Sequence, residues 1–134
     1  LTRQFLIDAN IGIHLRDGLE SVLAKMTEHR GVVALSALSL AELQRGLHKS
    51  PEDQARRRAR LATILLSIPV LSFDAAAAEA YGRVIGAVGW VKGRDFDRMI
   101  ASHSISSGRI LVTANGADFR DIPGLRIEDW SVAN

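Results

Sequence analysis

Three apolar residues that run without alternation into an acid, Phe5-Leu6-Ile7-Asp8, constrain this chain more than any other stretch. A half-exposed strand alternates apolar and polar residues, whereas a strand buried on both faces does not. Residues 5–7 therefore read as a central strand of a parallel sheet. Asp8 then stands at that strand's carboxyl end. In open α/β sheets, ligands bind outside the carboxyl ends of the strands, near the point where strand order reverses, so Asp8 is a candidate site residue. The plainer reading is that it caps the helix that follows.

The rest of the chain repeats the alternation of strand and helix. Residues 11–15 and 18–29 read as helices, the second carrying Leu19, Val22, Leu23 and Met26 at helical spacing. A second buried strand is expected over 32–35, then a helix capped by Ser36 or Ser39 and running to about residue 48. Pro51 at a first helical position, followed by Glu52 and Asp53, restarts a helix to about residue 67. A third strand is expected over 70–73, with Asp74 capping an alanine-rich helix over 75–88. Asp95 is expected to cap a helix ending near Gly108, followed by a strand over 110–113, a turn over 115–120 and an edge strand over 125–128. This order predicts an α/β fold of three layers, a parallel sheet between helices, in one domain over residues 1–134.

At 134 residues the chain is long enough to bury a core without staples, and it has no cysteine to make one. It shows no run of 18 apolar residues and no secretory leader, so we expect a cytoplasmic protein with no membrane span. The net charge of +2 does not by itself announce a nucleic-acid partner. Its distribution is less even: residues 43–60 hold Arg45, Lys49, Arg56, Arg57, Arg58 and Arg60 against two acids. Such a run attracts phosphate or simply forms a solvated helix face.

The acids concentrate differently. The helix over 95–108 enters a strand directly, so its amino end lies at the carboxyl edge that holds Asp8. Asp97, Ile100, Ala101, Ser104 and Ile105 share its sheet-facing stripe. Glu42 lies early in the helix leaving the second strand, and Asp118 follows the fourth strand after Thr113 and Asn115. Four carboxylates thus reach one edge. Two charges about 5 Å apart cost roughly 3 kcal/mol at an effective dielectric of about 20, so the cluster requires protonation, arginine partners or a divalent cation. With no cysteine and with His14, His29, His48 and His103 all off the constellation, the available ligands are oxygen, which favours Mg²⁺ or Mn²⁺. A hard cation on carboxylates with open positions does phosphoryl chemistry, as one ion or a pair.

The runs LIDAN (6–10), SALSLAELQRG (36–46), GRDFDRMIASHSISSG (93–108), ILVTANGADF (110–119) and IPGLRIEDW (122–130), taken together and in order, resemble the PIN-domain ribonucleases, specifically VapC toxins of bacterial toxin–antitoxin pairs. The resemblance implies a five-stranded parallel sheet in the order 3-2-1-4-5. It carries the family's catalytic and metal-binding acids onto Asp8, Glu42, Asp97 and Asp118, and its supporting polar residues onto Thr113 and Asn115. It also implies an RNA substrate, a homodimer and a cognate VapB-like antitoxin that occludes the acidic cleft. Arg94 and Arg98, beside the site, would steer the RNA backbone. Departures are small: Thr113-Ala114-Asn115 where the family has Thr-Asn-Asn, Ala101–Ser104 reading ASHS for Ala-Ala-His-Ala, and an extra acid, Asp95, read as the helix cap.

Two rivals share the fold class. A phosphoaspartyl protein, either a receiver or a haloacid-dehalogenase-like phosphatase, needs a lysine at the site, and Lys25, Lys49 and Lys92 follow no predicted strand. A non-catalytic PIN-like binding module would keep the fold without the acids. No G-x-G-x-x-G or P-loop appears.

Overall fold

The computed structural model describes residues 2–133. Its centre is a parallel sheet in the order β3-β2-β1-β4-β5, with β1 at Phe5–Ile7, β2 at Val33–Ser36, β3 at Val70–Leu71, β4 at Ile110–Val112 and β5 at Ile127–Glu128. The expected order is thereby found. In β1, Phe5 and Ile7 join one apolar cluster with Ile11, Val22, Val33, Leu35, Leu43, Leu61 and Val112. Leu6 is equally buried between them, and on β4 Leu111 joins a second cluster with Val84, Ile100, Ala101, Phe119 and Ile122. The sheet is covered on both faces, which is why β1 shows no alternation. Each such fully buried side chain contributes about 1.5–3 kcal/mol.

Helices α1 (Ala9–Arg16), α2 (Glu20–Glu28), α3 (Ala37–Gly46) and α4 (Gln54–Leu65) supply the first cluster; α5 (Ala75–Val88) and α6 (Asp95–Ser106) supply the second. Several bounds differ from expectation for local reasons. The first helix starts at Ala9 because Asp8 itself caps it. Pro51–Asp53 is a 3₁₀ turn ahead of α4, and β3 is only two residues long. Ser36 caps α3 by accepting from the Leu38 N–H at 3.1 Å.

Asp95 is not the cap of α6. Arg94 holds that position without a side-chain bond, and Asp95, the first helical residue, accepts a hydrogen bond from the Tyr81 hydroxyl of α5. That bond sets the relative height of the two helices. The Phe73 ring, just before α5, meets the His103 ring three quarters of the way along α6 at 5.5 Å. The helix α5 therefore runs antiparallel to α6, with Tyr81 meeting the amino end of α6 and Val84 and Val88 packed into the cluster that holds Ile100 and Ala101. Residues 89–94 make the return in a tight turn, with Gly93 at φ +86° and the Arg94 N–H bonded to the Val91 carbonyl at 3.0 Å.

Among the described residues, no helix is long and apolar enough to cross a membrane.

Candidate metal centre

Strand register brings three buried polar residues to one edge. Ile7 lies opposite both Leu35 and Val112, so Asp8, Ser36 and Thr113 emerge side by side at the carboxyl ends of β1, β2 and β4. Asp8 combines both roles suggested by its position: its Oδ1 accepts the Ile11 N–H at 3.0 Å as helix cap, and its side chain borders a cleft. The Thr113 hydroxyl lies beside Asp8, where it favours the charged carboxylate, and accepts the Asn115 N–H at 3.1 Å, which fixes the strand's exit.

Four acids line this cleft of ≈ 40 Å³: Asp8, Glu42 from α3, Asp97 from the first turn of α6, and Asp118 from the 3₁₀ turn Gly116–Phe119. Asn10 and Asn115 add amide groups, and Ile100 and Phe119 form its floor. Asn10 is the residue that chemistry-by-acids overlooked; its position two residues after Asp8, in the first turn of α1, is the signal that would have found it.

The electrostatics are those of acids short of counter-charge. Burial pushes the Asp8 carboxyl above its usual range, and Asp97 adds to the shift, while hydrogen bonds from Thr113, Ile11 and Asn10 oppose it. Burial also raises Glu42, with Arg45 opposing and the charges of Asp8 and Asp97 adding. Asp97 is raised by burial and then by Asp118, against Arg94 and Arg98. The Glu42–Arg45 pair is long, 4.0 Å, and Arg45 is exposed, so it neutralises little. No lysine lines the cleft among the described residues.

The basic residues divide. Arg94 is exposed beside Asp97. Arg98 is buried, 3% exposed, with its guanidinium bonded to Asp121 at 3.2 Å, so it supports Asp97 from within rather than facing solvent. In the basic run, Arg57 bonds the Gly46 carbonyl at 3.2 Å and Arg60 lines a separate apolar groove, so this segment is partly structural. His103 is buried against Ser36, Nδ1 to Oγ 2.9 Å, away from the acids.

The donor set fits a hard cation. Every side-chain donor in the cleft is a carboxylate or an amide, which suits Mg²⁺ or Mn²⁺ and not zinc. The space is large enough for a small hydrated occupant. Among the described residues, no three acids or histidines stand close enough together in this structure to grip one ion; the four carboxylates border a common cleft without closing on a single point. A larger apolar groove of ≈ 750 Å³ lies elsewhere, between α1, α2 and α4, and carries no acid.

Comparison with known proteins agrees with this geometry. The PIN domain family matches residues 5–125. The tRNA(fMet)-specific endonuclease VapC of Shigella flexneri is 36% identical over 132 residues, covering 96% of this chain and 98% of that protein. Ribonuclease VapC2 of Rickettsia felis is 29% identical over 133 residues, with coverage of 94% and 97%. Among solved structures, DNA-bound VapBC from Salmonella typhimurium superposes with a TM-score of 0.85 at 29% identity, covering 96% of this chain and 99% of that one.

Proposed function

The chain belongs to the PIN-domain family, among the VapC ribonucleases, and from that premise we propose that it is the toxin of a toxin–antitoxin pair, an endoribonuclease that hydrolyses RNA with Mg²⁺ or Mn²⁺. The observation that carries the reading is the cleft itself: four carboxylates around one small space, with three of them pushed toward protonation and no lysine among them. Asp8, Glu42, Asp97 and Asp118 would hold one or two ions. A cation bound there would activate a water and neutralise charge on the leaving oxygen. Asp8 enters the cleft pre-oriented, because the Ile11 N–H and the Thr113 hydroxyl fix its carboxylate. Thr113 and Asn115 hold the β4 exit that carries Asp118. Exposed Arg94 attracts the RNA backbone, a role that Arg98 serves only through Asp97.

The phosphoaspartyl alternative lacks its lysine, and a non-catalytic module has no use for four converging acids. The relatives solved as VapBC support a VapB-like antitoxin as partner, and the apolar groove lined by Leu15, Leu23, Met26 and Ile64 suits an apolar segment of it. We read the protein as a cytoplasmic homodimer acting where its RNA is. The test is a Mn²⁺ titration of the purified protein with expression in a host. Saturable binding competed by Mg²⁺, and growth arrest relieved by the antitoxin, support the reading; absence of both rejects it.

A further inference from the structure

The link between α5 and α6 carries a feature that the metal centre does not explain. Trp90 is 61% exposed at the tip of the α5–α6 return, among the largest apolar side chains left in solvent here. Residues 90–96 read Trp90-Val91-Lys92-Gly93-Arg94-Asp95-Phe96, with Phe96 also 38% exposed. From 89 to 94 the link has two bases and no acid. Lys92 and Arg94 are both exposed, and neither has an ion pair among the described residues.

This link is positioned, not loose. Arg94 N–H to Val91 carbonyl closes a four-residue turn, which keeps the ends of residues 91–94 within about 7 Å of each other. Tyr81 to Asp95 ties the start of α6 to α5. The turn leads directly into the amino end of α6, whose first turn carries Asp97 into the acidic cleft. Trp90 precedes Asp97 by seven residues, and Arg94 already acts on the Asp97 charge.

An indole in solvent flanked by cations, on the turn that leads into the helix carrying Asp97, has the chemistry that receives an unpaired base: a π-face for stacking and positive charge for the adjoining phosphates. We propose that Trp90, with Lys92 and Arg94, forms a stacking platform that takes an unpaired base of the RNA close to the phosphate being cut. The inference rests on the ribonuclease reading and deepens it by naming the substrate feature selected: a single-stranded nucleotide in a loop or bulge, not a paired helix. Trp90 acts here in binding and selection, without touching the reacting atoms.

The molecule supplies its own probe. It has two tryptophans, and Trp130 is 1% exposed, packed on His29 and Phe5, so quenching by a ligand in solvent reports Trp90. The experiment titrates the protein, with Ca²⁺ in place of Mg²⁺, with a short single-stranded oligoribonucleotide and with the same sequence as a duplex, and measures cleavage of a hairpin RNA in Mg²⁺. The single strand quenches and the duplex does not. Trp90→Ala removes the quench and weakens single-strand binding roughly tenfold, while Trp90→Phe keeps most of the affinity. In cleavage, Trp90→Ala raises KM and leaves kcat within about twofold, the signature of lost uniform binding.

Equal binding and equal KM for Trp90→Ala, with the parent cutting RNA normally, overturns the platform and leaves the ribonuclease reading intact. So does a Trp90→Ala protein that turns monomeric by sedimentation while its monomer binds RNA as the parent does, because Trp90 then belongs to the interface between two copies. A parent that neither binds nor cuts RNA removes both.

Discussion

Replacing Asp97 by Asn should separate catalysis from stability. The side chain keeps its shape and loses a charge that the fold tolerates poorly: burial is the main cause of its raised pKa, and Asp118 is next. At a separation of about 6 Å, a like-charge pair costs roughly 0.7 kcal/mol at the dielectric of water and about 2.8 kcal/mol at an effective value of 20. Asp118 is exposed, which places that pair toward the lower figure, and the lost attractions to Arg94 and Arg98 offset part of the gain. The net expectation in EDTA is a variant as stable as the parent or up to about 1–2 kcal/mol more stable, a rise of roughly 3–8 °C in Tm for a chain of this size. With metal the order reverses. At a free concentration 100 times Kd, the parent gains about 2.7 kcal/mol, and the variant, short of one ligand, gains much less. Cleavage should fall by about 100-fold or more, since even residues that only orient metal ligands cost 10- to 100-fold. The assay is a melt of each protein in EDTA and in excess Mg²⁺, beside a cleavage reaction. A variant that melts well below the parent in EDTA refutes the reasoning: Asp97 would then be a structural partner of Arg98.

Thr113→Val removes the hydroxyl that holds Asp8 and accepts the Asn115 N–H; it should cost about 1–3 kcal/mol in chemical denaturation and lower cleavage. The acid limb of cleavage should lie above the ordinary carboxylate values of 3.8 and 4.5, because Asp8, Glu42 and Asp97 are all raised and must deprotonate to bind metal; a pH–rate profile reads it. His103 is lowered from 6.5 chiefly by burial, so the folded state binds fewer protons there than the unfolded one. Its stability contribution is full above 6.5 and lost as pH falls through the lowered value. Parent melts should therefore drop on acidification below 6.5 more steeply than those of His103→Asn.

The sequence exposed the sheet because β1 and β4 are buried on both faces and so carry unbroken apolar runs. It exposed the acids because helix period and strand ends fix where Asp8 and Asp97 emerge. It was less informative wherever the deciding partner lies far along the chain. Asp95 has the composition of a cap, but Tyr81, fourteen residues earlier, claims its carboxylate. Arg98 has the composition of a surface base, yet it is buried, and Asp121, twenty-three residues later, pairs with it from the surface. The register of α5 against α6 was equally hidden, since it depends on packing between the two helices rather than on any propensity of residues 75–88.

The most direct test is to map RNA ends after incubating purified protein with total RNA in Mg²⁺, in EDTA, and with Asp8→Asn in Mg²⁺. The account predicts new ends at discrete, unpaired positions that require both the cation and Asp8. Ends that persist in EDTA or with Asp8→Asn, or a parent that produces none, contradict it.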